Sequence, residues 1–440
     1  MANEQTYLIL PGCDDTNRGD QALIWETAAV AKEAGFDGQF HMIADHKHGE
    51  QSRQIGIRSM AYILPHPSAS RAQGADNRRY GIGLKIRWSL AAVRDLLRAV
   101  PVGHAFLRKP ASWFLSPEQK ETLRLFEQSS AAFVKGGGFL HAHGGWAETY
   151  KIYFFLYHIR LALSMGIPVY VMPNSFGPFN GILVRRMVRK TLSRCRLVYA
   201  RESISRRMLK RECGIDCRVS RDLAMYLEKQ SDFDAGRCLE EHGIVARDKP
   251  LVGITVRPYR FPGQPDPQER YRAYCRAITG LVVWLKEQGY RPVLIEHVYS
   301  ENYHERDMLC IEEIARAVQE RGQTVDVFSD LRLNCRQMKA VYGRMDYLVG
   351  TRFHSVVFAL TEQVPSIAIT YGGNKGSGIM RDLGLESYSV GMDAVTEEKL
   401  IRLFLDLESH APQIRELLAD HQRRIDRDYR ELVQSIREVR

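Results

Sequence analysis

The chain has 440 residues, 45% of them hydrophobic and 26% charged, with a formal net charge of +10. That length favours two cores over one, the balance is that of a globular protein rather than a disordered one, and no run of about 18 apolar residues offers a membrane span. Eight scattered cysteines make no zinc-ligand spacing and suit a reducing cytoplasm, and Met1–Thr6 has neither the basic nor the apolar region of a secretory leader.

In chain order, Thr6–Pro11 reads as a first strand, Gly12–Gly19 as a loop, and Asp20 as the N-cap of a helix running through Ala34. Asn17, Arg18 and Asp20 thus form a polar cluster at a strand's carboxyl end, where α/β sheets bind ligands. The loop is not a Gly-x-Gly-x-x-Gly fingerprint, so no nicotinamide cofactor is indicated. Residues 45–115 look like an insertion. Within it Lys85–Val100 reads as an amphipathic helix, with Ile86, Leu90, Val93 and Leu97 on one face and Arg87, Arg94 and Arg98 elsewhere. Such a helix either lies on an anionic membrane surface or packs its stripe on its own domain. Further cations cluster at Arg78–Arg79, Arg108–Lys109 and Arg185–Arg196. No nucleic-acid motif accompanies them, so anionic lipid or phosphorylated substrates are the better match.

Ala131–Lys135 is the next strand and runs into Gly136, Gly137 and Gly138, where a ligand could approach backbone N–H groups or the chain could simply turn tightly. After a helix over Tyr150–Met165 and a strand over Pro168–Met172, the strand Leu197–Ala200 ends in Arg201-Glu202-Ser203. Ser203 is the expected cap of the next helix. Arg201 is an anion-ligand candidate unless Glu202 neutralises it. A polar stretch at 229–249 reads as a linker between a domain at 1–228 and a second at 250–395, with closing helices at 396–440.

The second series of strands covers Leu251–Val256, Pro292–Glu296, Thr324–Phe328, Tyr347–Val349 and Ser366–Thr370. The first ends in Arg257. The fourth hands over to a helix through Gly350-Thr-Arg-Phe-His354, which puts Arg352 and His354 at a helix N-terminus. A guanidinium fork there suits phosphate or carboxylate, and an imidazole two residues on suits proton transfer near neutral pH. The bland alternative is an arginine in an ion pair and a histidine capping its own helix. After the last strand, Lys375 and Ser377 open another helix able to receive an anion. Alternating strands and helices in both halves imply an α/β protein of two doubly wound Rossmann-like domains facing across a cleft, GT-B-like, with C-terminal helices.

These blocks, in this order, resemble the polysaccharide pyruvyltransferases of exopolysaccharide assembly. The resemblance rests on Asn17-Arg-Gly-Asp-Gln-Ala-Leu-Ile24, Lys135-Gly-Gly-Gly138, Ser175-Phe-Gly-Pro178, Ala200-Arg-Glu-Ser203 and Ile254-Thr-Val-Arg257. It continues in Gly350-Thr-Arg-Phe-His-Ser355 and Lys375-Gly-Ser-Gly-Ile-Met380. It implies transfer of pyruvate from phosphoenolpyruvate, a co-substrate rather than a cofactor, to two hydroxyls of one sugar, giving a cyclic ketal and phosphate. His354 would then move protons, with Asp20 as the second candidate. Arg352, Arg201, Arg257, Lys375 and Ser377 would bind the donor, and Asn17, Arg18 and the three glycines would line the acceptor side. No metal is required. A sugar acceptor on a lipid-linked or polymeric repeat unit is the expected partner, nucleic acid is not, and the expected location is the cytoplasm, either free or peripheral at the inner face of the cytoplasmic membrane. A nucleotide-sugar glycosyltransferase of the same architecture is the competing enzyme class, and a non-catalytic sugar- or lipid-binding scaffold is a third reading.

Overall fold

A computed structural model describes residues 5–13, 15–44, 49–66, 82–245, 249–262, 264–300, 305–371 and 375–440. Parts of the expected insertion (45–48 and 67–81, with Arg78 and Arg79), the loop at 372–374 and the side chain of Lys375 lie outside these. The chain forms two compact units, 1–15 with 23–223 and 429–440, and 16–22 with 224–428.

The first unit is built on an eight-stranded, all-parallel sheet. Its strands are β1 (Thr6–Leu10), β2 (Gln39–Ile43), β3 (Ile57–Met60), β4 (Ser129–Val134), β5 (Gly137–Ala142), β6 (Val169–Phe179), β7 (Leu197–Ala200) and β8 (Arg218–Val219). The order is β3-β2-β1-β4-β6-β7-β8, with β5 beside β6. Strands covered on both faces need unbroken apolar runs, and Tyr7–Leu10 and Ala131–Val134 are fully buried. An aromatic cluster of Tyr7, Phe36, Phe40, Phe133 and Tyr170 packs on one face of this sheet, Phe133 and Tyr170 stacked at 5.3 Å.

The second unit is a six-stranded parallel sheet of β9 (Leu251–Thr255), β10 (Arg291–Ile295), β11 (Asp326–Phe328), β12 (Tyr347–Gly350), β13 (Ser366–Thr370) and β14 (Ser389–Gly391). Its order, β11-β10-β9-β12-β13-β14, is that of a doubly wound dinucleotide fold, and the order reverses between β9 and β12. Crossover connections leave in opposite directions at that point and open a crevice at the strands' carboxyl ends. Arg257 and Arg352 each follow one of those two strands by two residues.

Four sequence expectations change here. The stretch 229–249 is no linker. It holds the helix Ala235–Glu241, capped by Asp234 accepting from Arg237 N at 3.0 Å, and buries Ala235, Cys238, Leu239 and Ile244 within the second unit. The first helix runs Arg18–Glu33, so its cap is Asn17 rather than Asp20: Asn17 Oδ1 accepts from the backbone of Gly19 and Asp20 at 3.1 and 3.2 Å. Ser203 is the first helical residue after Glu202 and not a cap. The closing helices also lack a domain of their own. Leu400, Phe404 and Leu407 bury the first of them in the second unit, and the last, Ala411–Arg437, passes from the second unit to the first.

Candidate active site

The second unit gathers a charged cluster at its switch point. Arg352 caps the helix Phe353–Thr361, its backbone held by Arg352 N donating to Thr255 Oγ1 at 3.3 Å and by Ser355 Oγ donating back to Arg352 O at 2.6 Å. All three guanidinium nitrogens of Arg352 are engaged. Nε donates to Asp307 Oδ1 at 2.8 Å, Nη1 to Glu305 Oε2 at 3.0 Å, and Nη2 to the Glu305 carbonyl at 2.7 Å. Asp307 is fully buried and accepts in addition from the backbone of His297 and Val298, at 3.2 and 2.9 Å. Burial pushes its carboxyl up to about 6, against the opposing pull of Arg352. The arginine therefore anchors the His297–Asp307 region as well as carrying charge.

Arg257 is placed differently. Its Nη2 donates to Glu305 Oε1 at 3.0 Å, its guanidinium lies 4.3 Å from the ring centre of Tyr371, and its buried Nε has no hydrogen-bond partner among the described residues. It thus keeps donors to spare over an aromatic face that helps hold its charge. Glu305 bridges the two arginines, with its side chain 44% exposed. Burial raises its carboxyl, but Arg257 and Arg352 outweigh that and hold it below the usual range.

His354 lies in the first turn after Arg352 and is 7% exposed. Against its ring packs the backbone of Gly19, so closely that a methyl group there would sit 2.1 Å from Nδ1. The segment Thr16–Ala22 is pinned in place by a bridge between Asn17 and Val298, by Tyr299 N donating to Thr16 O at 2.9 Å, and by Arg18 Nη2 donating to Leu331 O at 2.8 Å. Cys335 N donates to Gln21 Oε1 at 2.7 Å, which fixes the segment's far end. Asp20, tied to Asn17 Nδ2 at 2.9 Å, lies within electrostatic reach of both His297 and Glu305. His297 is fully enclosed and shares a hydrogen bond with Tyr342 OH at 3.0 Å. Burial first, then the cations around it, hold it neutral well below the usual histidine range.

So Asn17, Arg18, Asp20, Arg257, Arg352 and His354 come together in one unit. The helix carrying Ser377 starts beside them, because a side chain at Gly376 would come 3.2 Å from Phe353 Cδ2. Glu305, Asp307 and His297 were missed as site residues. The signal available was an acid pair opening a helix and a histidine at the end of β10.

The other expected residues lie in the first unit. Arg201 is wholly enclosed: Nε donates to Ser175 Oγ at 2.7 Å, Nη1 meets Asp222 Oδ2 at 2.5 Å, and Ser175 in turn donates to Glu202 Oε2 at 2.9 Å. Burial lifts Glu202 to about 6 despite Arg201. Ser175–Pro178 and Ala200–Ser203 are thus two halves of one buried network, and Arg201 presents no fork to solvent. Gly136 is wedged 3.1 Å from Pro173 O by the same measure of an added methyl, and Gly137 and Gly138 begin β5 rather than a ligand-cradling loop.

Sequence spacing offered no ligand cluster for a metal. Folding does bring the ligand atoms of Cys238, His242 and Asp330 within 4.8 Å of one another. His242 Nδ1 is taken by the Cys238 carbonyl at 2.8 Å, which leaves Nε2 toward Asp330, but Arg332 already clamps that carboxylate through two nitrogens at 2.9 and 2.7 Å.

Residues 17–373 match the family described as Polysaccharide pyruvyl transferase. The amylovoran biosynthesis protein AmsJ of Erwinia amylovora is 25% identical over 255 residues, 56% of this chain and 59% of that protein, so the match spans little more than half of the curated relative. Among solved structures, a UDP-glucose:anthocyanidin 3-O-glucosyltransferase in complex with UDP aligns over 100% of this chain and 99% of its own, at TM-score 0.56 and 12% identity. Anabaena Alr3699/HepE in complex with UDP and glucose aligns over 99% of each chain, at 0.55 and 11%. A putative UDP-N-acetylglucosamine 2-epimerase from Listeria monocytogenes covers 95% of this chain and 91% of its own, at 0.55 and 12%. At such identities the likeness speaks for the fold, two Rossmann-like domains of the GT-B type.

Proposed function

Because the chain belongs to the polysaccharide pyruvyl transferase family, we propose that it transfers pyruvate from phosphoenolpyruvate to two hydroxyls of one sugar in an exopolysaccharide repeat unit. The products are a cyclic pyruvate ketal and phosphate. The observation that supports this beyond membership is the pairing of an arginine with spare donors, Arg257, with a histidine at a helix N-terminus, His354, around one switch point.

The chemistry asks for those parts. Protonation of the donor's C3 makes C2 electrophilic. One sugar hydroxyl adds there and loses its proton, phosphate leaves, and the second hydroxyl closes the ring with loss of another proton. One hydroxyl proton balances the proton gained at C3, and the other leaves with the phosphate. His354 is assigned the proton transfers, with Asp20, which follows the Gly19 that packs on its ring, as the second candidate. Arg257 receives an anionic group of the donor, helped by the N-termini of the helices at Phe353 and Lys375. Arg352 acts mainly by fixing Asp307 and Glu305, so its expected role as a direct fork becomes a positioning one. The acceptor is a lipid-linked sugar and the reaction takes place at the inner face of a cytoplasmic membrane.

The test is release of inorganic phosphate from phosphoenolpyruvate on addition of the host's repeat-unit oligosaccharide, with mass spectrometry of the product for a ketal. Heat of binding with UDP and none with phosphoenolpyruvate would overturn the reading in favour of a nucleotide-sugar enzyme.

A further inference from the structure

A surface helix normally turns its apolar stripe inward. The helix Ile82–Val102 does the opposite. Ile86, Leu90, Val93 and Leu97 fall on one side of the helical wheel and are 55%, 66%, 54% and 72% exposed. The buried face is the other side, through Asp95, Ala99 and Val102, where Tyr157 OH donates to Ala99 O at 2.7 Å. The helix Ala105–Ser112 follows and packs on it, held by Arg108 Nε donating to Val102 O at 3.0 Å and Nη2 to Ser164 Oγ at 3.0 Å. It extends the apolar surface with Phe106 at 98% exposure, and Trp113 and Phe114 stand exposed just after it. Among the described residues no helix is long and apolar enough to cross a bilayer.

We propose that this helix pair is a docking surface for an anionic lipid bilayer, lying in the headgroup region with the stripe turned toward the acyl chains. Charge selects the occupant. Between residues 82 and 114 the one acid is Asp95, which is buried and paired with Arg94 at 2.9 Å, whereas Lys85, Arg87, Arg94, Arg98, Arg108 and Lys109 are cationic. A second copy of the same face would set these charges against themselves. An anionic bilayer satisfies both the stripe and the cations. The inference rests on the proposed function only for its purpose, since a lipid-linked acceptor would be met there.

The experiment is co-sedimentation of the full chain with phosphatidylcholine vesicles, with and without phosphatidylglycerol, at low and high salt. Two variants accompany it, Arg87→Gln/Arg98→Gln and Leu90→Ser/Leu97→Ser, and circular dichroism confirms folding. Arg94 is left alone because Asp95 needs it. The native chain should sediment only when phosphatidylglycerol is present and be released by salt. The arginine variant should partition about 25-fold more weakly, at about five-fold per charge, and the leucine variant about tenfold more weakly. Equal partitioning of native chain and arginine variant, or no sedimentation of the native chain at low salt, overturns the proposal. A native dimer that fails to sediment and is dissociated by the leucine variant overturns it in favour of a self-interface. The assay contains neither phosphoenolpyruvate nor sugar, so its failure leaves the pyruvyl-transfer reading standing, and failure of phosphate release leaves the docking surface standing.

Discussion

Replacing Gly19 by alanine tests the site through a residue that carries no chemistry. The added methyl would lie 2.1 Å from Nδ1, 2.4 Å from Cγ and 2.6 Å from Cβ of His354. Ordinary contact is about 3.5 Å, so the imidazole must move by more than about 1 Å. A displacement of that size in a reacting group costs on the order of 100-fold in rate. Stability should change little by comparison. Overpacking costs about 1–3 kcal/mol, and alanine recovers up to about 1 kcal/mol over glycine within a helix. The assay is the initial rate of phosphate release from phosphoenolpyruvate with acceptor, read beside urea unfolding of the same protein. A folded Gly19→Ala variant with native turnover would refute the reasoning, because it would show that the ring's position against Gly19 does not matter to catalysis.

Four further outcomes are expected. His354→Gln should lower turnover by about two to four decades while calorimetry still registers phosphoenolpyruvate; unchanged turnover excludes it as the proton-transfer group. Arg257→Lys should unfold normally yet bind phosphoenolpyruvate more weakly, since the planar fork is lost, and native affinity in that variant would remove Arg257 from the donor site. Arg201→Gln leaves Asp222 and Glu202 buried without their cation and should cost about 3–5 kcal/mol in urea unfolding; a loss of phosphoenolpyruvate binding at native stability would instead return Arg201 to the site. Acid should destabilise the fold between pH 6.5 and 4. Burial holds His41 and His141 at about 4, His158 at about 3 and His297 well below its usual range, so the unfolded chain takes up protons there that the folded one refuses. Glu202 and Asp307, raised to about 6, and Glu296, also raised by burial, act in the opposite sense over the same window but are outnumbered. Urea midpoints that rise on acidification through this window would contradict it.

Much of the architecture was legible in the residue order. Apolar runs such as Tyr7–Leu10 and Leu251–Val256, separated by helical periodicity, announce a parallel sheet because each strand is covered on both faces. Arg257, Arg352 and His354 could be placed at strand ends for the same local reason. Even the unusual stripe at Ile86–Leu97 was visible, though not which way it faces, because periodicity reports that a face exists and not what covers it.

What only the tertiary structure decided is which charges meet. Arg352 finds Asp307 and Glu305 across 45 and 47 positions, Arg201 finds Asp222 across 21, and Gly19 reaches His354 from the far end of the chain. Local sterics and burial determine a strand or a helix within a dozen residues, and a single sequence carries that. A parallel sheet then sets side by side strand ends that are 95 residues apart, as with Arg257 and Arg352 after β9 and β12. The partner each guanidinium acquires follows from strand order and crossover length, not from its own neighbours in the chain. That is why the sequence identified the arginines, and the fold decided that Arg352 is an anchor, that Arg201 is a buried brace, and that Arg257 lies over Tyr371 with a donor to spare.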